Sequence, residues 1–133
     1  MAKTYKVFIS HSWSHVNDLR ALRRLLNSRG YFNVEFTEVS PSDLINSSNL
    51  NYVKQRLSEK IASSDVVLGI AGLYASFSDW MEWELDKAIE NNIPIIGVIP
   101  RGHERVSSVV SSRAVEVVRW NTESIVAAIR SNA

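Results

Sequence analysis

Val66-Val67-Leu68-Gly69-Ile70-Ala71 is apolar almost without interruption. A strand with one wet face alternates between apolar and polar residues. A continuous apolar run suits a strand covered on both faces, as in a buried parallel sheet. Ile93-Pro94-Ile95-Ile96-Gly97-Val98-Ile99 repeats the pattern. Val7-Phe8-Ile9 and Val115-Glu116-Val117-Val118 are further short β-prone runs. Phe32-Asn33-Val34-Glu35-Phe36 differs, because it alternates strictly. One of its faces meets water, as on an edge strand.

Amphipathic stretches separate these runs. Leu19, Leu22, Leu25 and Leu26 form one stripe, which Asn17 or Ser14 can cap and Gly30 ends. Val53, Leu57 and Ile61 form a second, and Met81, Leu85, Ala88 and Ile89 a third. A last helix begins near Thr122 behind an Asn121 cap and carries Ile125, Val126 and Ile129. Residues 101–113 read as a loop with a short, weak helix. Strand and helix thus alternate five times. That predicts an α/β doubly wound five-stranded parallel sheet, order 2-1-3-4-5, with helices on both faces. Residues 1–133 are expected to form a single domain.

Composition narrows the function. A chain of 133 residues buries about two-thirds of its extended surface, enough for a core without staples. Fifteen basic and 14 acidic residues leave a net charge of +1, so no global field favours nucleic acid or an anionic membrane. There is no cysteine, hence no disulfide scaffold, thiolate catalysis or cysteine zinc site. With no signal-like start and no run long enough to span a bilayer, a cytoplasmic protein is expected.

Open α/β sheets bind ligands beyond the carboxyl ends of their strands, at the switch point in strand order. Here that point lies between strands 1 and 3. After strand 1 come Ser10-His11-Ser12-Trp13-Ser14. These side chains can bond a ribose or phosphate and stack on a base, or simply form a polar turn with capping serines. After strand 3 come residues 72–78, then Asp79-Trp80-Met81-Glu82-Trp83-Glu84-Leu85, with Ser78 or Asp79 capping the helix. A helical wheel puts Glu84 on the flank of the buried stripe, one turn from Trp80, and Glu82 on the opposite flank. Asp79 and Glu82 fit as acids complementing the helix dipole; Glu84 is deeper and faces inward. Trp83 falls near the outer face, where a neighbouring loop or a partner would cover it.

Two further loops open onto this edge. Residues 37–49 hold Pro41, Ser42 and Asp43 and are long enough for a lid or contact element. Arg101, Gly102, His103, Glu104 and Arg105 follow strand 4, as a pyrophosphate clamp or a solvated charge cluster. Neither glycine-rich phosphate cradle is present. His11, His15 and His103 lack metal-ligand spacing, so no metal is expected. No nucleophile elbow exists, and Ser10-His11 and Ala71 stand where a phosphoacceptor receiver needs acids.

With Lys6-Val7-Phe8-Ile9-Ser10-His11-Ser12, Asp65-Val66-Val67-Leu68-Gly69-Ile70, Trp80-Met81-Glu82-Trp83-Glu84-Leu85 and Ile95-Ile96-Gly97-Val98 on the page, the chain resembles a TIR-like domain. It is most similar to the stand-alone bacterial ThsB-type TIR proteins of Thoeris anti-phage defence. The Trp-x-x-aromatic-Glu spacing is the most specific element. The resemblance implies a flavodoxin-like fold and, in many bacterial members, cleavage of NAD at the nicotinamide–ribose bond. It puts the catalytic glutamate on Glu84. The substrate-contacting set becomes Ser10, His11, Ser12, Trp13, Ser76, Trp80, Asp43 and Arg101. NAD is then the substrate, with no separate cofactor. ADP-ribose or a cyclic ADP-ribose isomer is the product, and it signals to a separate effector protein. The loop 37–49 stands where TIR domains often contact a neighbouring subunit, which implies a homo-oligomer on activation. Two other readings stay open: a non-catalytic TIR-type interaction module, and a nucleoside deoxyribosyltransferase-like enzyme.

Overall fold

A computed structural model describes residues 4–11, 16–37, 50–70, 79–100, 102–104 and 106–133, a few of them by backbone alone. The elements run β1 (Thr4–His11), α1 (Val16–Asn27), β2 (Asn33–Phe36), α2 (Leu50–Ala62), β3 (Val66–Ile70), α3 (Asp79–Glu90), β4 (Ile95–Val98), α4 (Ser108–Ser111), β5 (Glu116–Val118) and α5 (Thr122–Asn132). The five strands form one sheet in the order β2-β1-β3-β4-β5. Every pairing is parallel. This is the flavodoxin-like arrangement that the alternation of runs implies.

Strand β3 is buried at every position and so is β4, as unbroken apolar runs require. On β2, Asn33 and Glu35 are exposed while Val34 and Phe36 are half-buried, the alternation of an edge strand. The core has two layers. Val7, Ile9, Leu68, Ile70, Ile96 and Val98 pack beneath α1 and α5, against Leu19, Leu22, Leu26, Ile125 and Ile129. Phe8, Val67 and Ile95 face the other way, toward Leu57 and Ile61 of α2, Met81 and Leu85 of α3, and Val110 of α4.

The structure corrects several local expectations. Strand β1 extends through Ser10 and His11, which pair in register with Gly69 and Ile70; they end the strand rather than form a turn. Pairing with β3 carries these polar residues along with the ladder, past Val7, the last residue paired with β2. Asn17 lies inside α1, whose first residue is Val16, so it is not the cap. Gly30 does not supply the left-handed residue after α1: Tyr31 does, with φ 58°. The carbonyl of Tyr31 accepts from Arg130 Nη2 at 2.7 Å, a contact that holds this turn. Ile89 is 50% exposed and not part of the buried stripe. It lies at the amino edge of the sheet beside Ile93, Pro94 and Val115, where the helix runs past its support. The Asn121 cap is present, its side chain accepting from Ser124 N at 3.1 Å. Thr37, where the long loop begins, is buried, its hydroxyl 2.6 Å from that of Ser64. The rest of that loop, like Ser14 and Ser78, lies outside the described residues.

Candidate active site

Because β1 and β3 are adjacent and parallel, α1 and α3 both start at the carboxyl edge on opposite faces of the sheet. Along β1, Phe8 and Ser10 face α3, since side chains alternate. Ser10 is fully buried. Its register neighbour on β3 is Gly69, and the register neighbour of Gly69 on β4 is Gly97. One row of the sheet thus reads Ser-Gly-Gly.

The absence of side chains in that row sets the height of the helices above it. A β-carbon on Gly69 would meet Val110 Cγ1 at 3.1 Å and Met81 Cε at 3.6 Å. One on Gly97 would meet Val110 Cγ1 at 3.0 Å. Val110 of α4 therefore seats directly on the backbone of both strands, and Met81 of α3 reaches Gly69.

Glu84 is half-buried on the side of α3 that turns toward β1. Ser10 Oγ donates a hydrogen bond to Glu84 Oε1 at 2.8 Å. The far side of α3 is tied down separately. Arg113 donates through Nε to Asp86 Oδ1 at 2.7 Å and through Nη2 to Glu82 Oε1 at 3.2 Å. These carboxylates raise the Arg113 pKa above its ordinary value, the hydrogen bond that Arg113 donates to Asp86 contributing most. Glu82 and Asp86 serve as structural counter-ions on one flank, while Glu84 alone of the three faces the sheet.

Trp83 is half-buried against the core layer of α2 and α3. Its ring carries Lys54 Nζ at 5.8 Å and Lys87 Nζ at 5.7 Å. Among the described residues, Lys54 of the neighbouring helix α2 and Lys87 of α3 itself lie over it.

Of the residues singled out in the sequence, Ser10 and Glu84 are brought together. His11 ends β1 and Trp80 is the second residue of α3, and both are described by backbone alone. Ser12, Trp13, Asp43, Ser76 and Arg101 lie outside the described residues. Gly102, His103 and Glu104 are exposed, Gly102 with φ 82°. Sequence reasoning missed Gly69 and Gly97. The signal was there: glycines at the same register in two otherwise apolar strands mark a close approach. Among the described residues no group of His, Asp and Glu side chains could hold a metal ion. No described helix is long and apolar enough to cross a membrane.

A doubly wound parallel sheet with a carboxylate set over the end of its first strand is the architecture of a TIR-like domain. The chain belongs to the family described as Thoeris protein ThsB, TIR-like domain, whose model matches residues 8–105. No curated protein matches it. Solved structures share its fold at low identity. A 2-deoxyribosyltransferase of Bacillus psychrosaccharolyticus is 14% identical with a TM-score of 0.64, covering 90% of this chain and 89% of its own. A CMP N-glycosidase of Clostridium botulinum is 12% identical with a TM-score of 0.55, covering 94% and 98%. A 3-dehydroquinate dehydratase-like protein of Bifidobacterium longum is 19% identical with a TM-score of 0.50, covering 96% and 94%.

Proposed function

We propose that this protein cleaves the nicotinamide–ribose bond of NAD, with Glu84 as the catalytic carboxylate. The carrying observation is the Glu84 carboxylate, half-buried and hydrogen-bonded by a buried serine at the switch point of the sheet. Family membership supports the substrate. Two proteins of the same fold bear names for chemistry at the sugar–base bond of nucleosides and nucleotides, which supports the reaction type.

The chemistry asks for one carboxylate. The bond from ribose C1′ to the pyridine nitrogen breaks, and its electron pair stays on nitrogen. Nicotinamide departs as a neutral molecule, so no general acid is required. Positive charge develops on the ribose ring instead. A fixed carboxylate near that charge, or holding the ribose hydroxyls, stabilises the transition state, more strongly where water is excluded. Water then adds at C1′ and loses a proton to give ADP-ribose, or an atom of the adenosine half adds to give a cyclic isomer. The product acts as a signal read by a separate effector, and the enzyme assembles into homo-oligomers on activation. The second carboxylate of an ordinary glycosidase has no task here.

The test is nicotinamide release from NAD by purified protein, in dilute and in crosslinked, oligomeric form, beside Glu84→Gln. Release by the wild type and not by the variant supports the reading, and the second product separates linear from cyclic ADP-ribose. Equal release by both overturns the role of Glu84. No release in either form overturns NAD cleavage. Base exchange on free deoxynucleosides would assign the deoxyribosyltransferase-like activity instead.

A further inference from the structure

We infer that Ser10 is a positioning residue: its buried hydroxyl aims the Glu84 carboxylate rather than contacting substrate. The inference deepens the reading above and rests on it for the identity of the reaction.

Ser10 lies near the carboxyl end of the internal strand β1, beyond Val7, the last residue paired with β2, and is held by its pairing with Gly69 on β3. Its side chain is completely buried, and its hydroxyl proton is committed to Glu84 Oε1 at 2.8 Å. A carboxylate on an unbranched two-carbon stem has several rotamers of similar energy. The donor on Oε1 favours the rotamer that meets it. Bonds to charged acceptors in buried surroundings are the strong ones, so losing this contact shifts the carboxylate. Beside Ser10 in the row, Gly69 carries no β-carbon, and Met81 of α3 lies where one would touch it, with Cε 3.6 Å from the added atom.

The experiment pairs Ser10→Ala with Ser10→Thr. Alanine removes only the hydroxyl and fits the same space, so the fold is retained. Threonine keeps the donor. In Ser10→Ala, kcat for nicotinamide release falls about tenfold to a hundredfold, with KM for NAD within about twofold of wild type. Ser10→Thr recovers most of the loss. A wild-type kcat in Ser10→Ala overturns the inference, and so does a raised KM at unchanged kcat, which would mark a substrate contact. If threonine proves too large for the site, the alanine variant still decides. Crystal structures of wild type and Ser10→Ala supply a readout independent of substrate. The Glu84 carboxylate is expected in one place on Ser10 in the first, and displaced or in several rotamers in the second. An unmoved carboxylate overturns the positioning role. A displaced one in a protein that does not release nicotinamide leaves that role standing and removes NAD as substrate.

Discussion

Ser10 Oγ and Glu84 Oε1 lie 2.8 Å apart although 74 positions separate the residues in the chain. The hydroxyl is fully buried and the carboxylate half-buried, so neither can exchange its partner for water at no cost. The bond joins the central strand to the helix that follows β3, across the switch point of the sheet.

A thermodynamic cycle on this pair is the most direct check. Glu84→Ala strands a buried hydroxyl donor, which costs about 1–3 kcal/mol. Adding Ser10→Ala removes the stranded group, and the double variant recovers about 1 kcal/mol of that loss. Glu84→Gln keeps a carbonyl acceptor at the same place, and its stability stays close to wild type while its activity is lost. Urea unfolding of wild type, Glu84→Ala, Ser10→Ala, the double variant and Glu84→Gln measures each term. Additive losses would mean that the two side chains are energetically independent.

Gly69→Ala tests the close seating of α4. The new β-carbon would sit 3.1 Å from Val110 Cγ1 and 3.4 Å from Val110 Cγ2. Val110 is fully buried, so the neighbour has little room to give. Overpacking of this kind costs about 1–3 kcal/mol. The strain lifts Val110 and α4 from the strands, so a crystal structure of the variant shows Val110 displaced from β3, and urea unfolding measures the loss. An unmoved Val110 at wild-type stability would show that the glycine does not govern the height of α4.

Much of this was readable from residue order because burial in a parallel sheet leaves a one-dimensional trace. The unbroken runs at Val66–Ile70 and Ile95–Val98 can only be strands covered twice, and the alternation over residues 32–36 can only belong at an edge. The helical wheel placed Glu84 inward for the same reason, since Met81, Leu85 and Ala88 fix the rotation of α3. The partner of Glu84 was not readable. It depends on how β1 and β3 register and on how near α3 comes, and both are three-dimensional facts. Ile89 shows the converse limit. Its position on the wheel is correct for burial, but the helix outruns the sheet there.

Tyr31 carries a cost that composition does not show. Its φ of 58° lies in the left-handed region, which glycine adopts freely and other residues do not. Its side chain is 97% exposed and gains little from burial. Tyr31→Gly relieves about 1 kcal/mol of backbone strain and returns part of it as unfolded-chain entropy. A net rise in Tm is expected, with the Arg130 contact to the carbonyl of residue 31 retained. A fall in Tm would mean that contacts of the tyrosine ring outweigh the strain.

Arg29 and Glu123 tie the turn after α1 to the first turn of α5 through two contacts, at 3.2 and 3.0 Å. The hydrogen bond from Arg29 lowers the Glu123 pKa below its ordinary value, with the charges of Arg29 and Arg130 acting in the same direction. The position at a helix N-terminus also favours the ionised form. A carboxyl group depressed in the folded state stabilises the protein above its unfolded pKa, and that contribution disappears as pH falls through the folded value. Wild type is therefore more stable than Glu123→Gln at neutral pH, and the difference in Tm closes as the pH is taken below the ordinary glutamate range. Both groups are on the surface, so added salt narrows the neutral-pH difference as well. Thermal melts of the two proteins from pH 7 down to pH 3, at low and high salt, provide the measurement. A difference that persists at the lowest pH would assign the role of Glu123 to packing rather than charge.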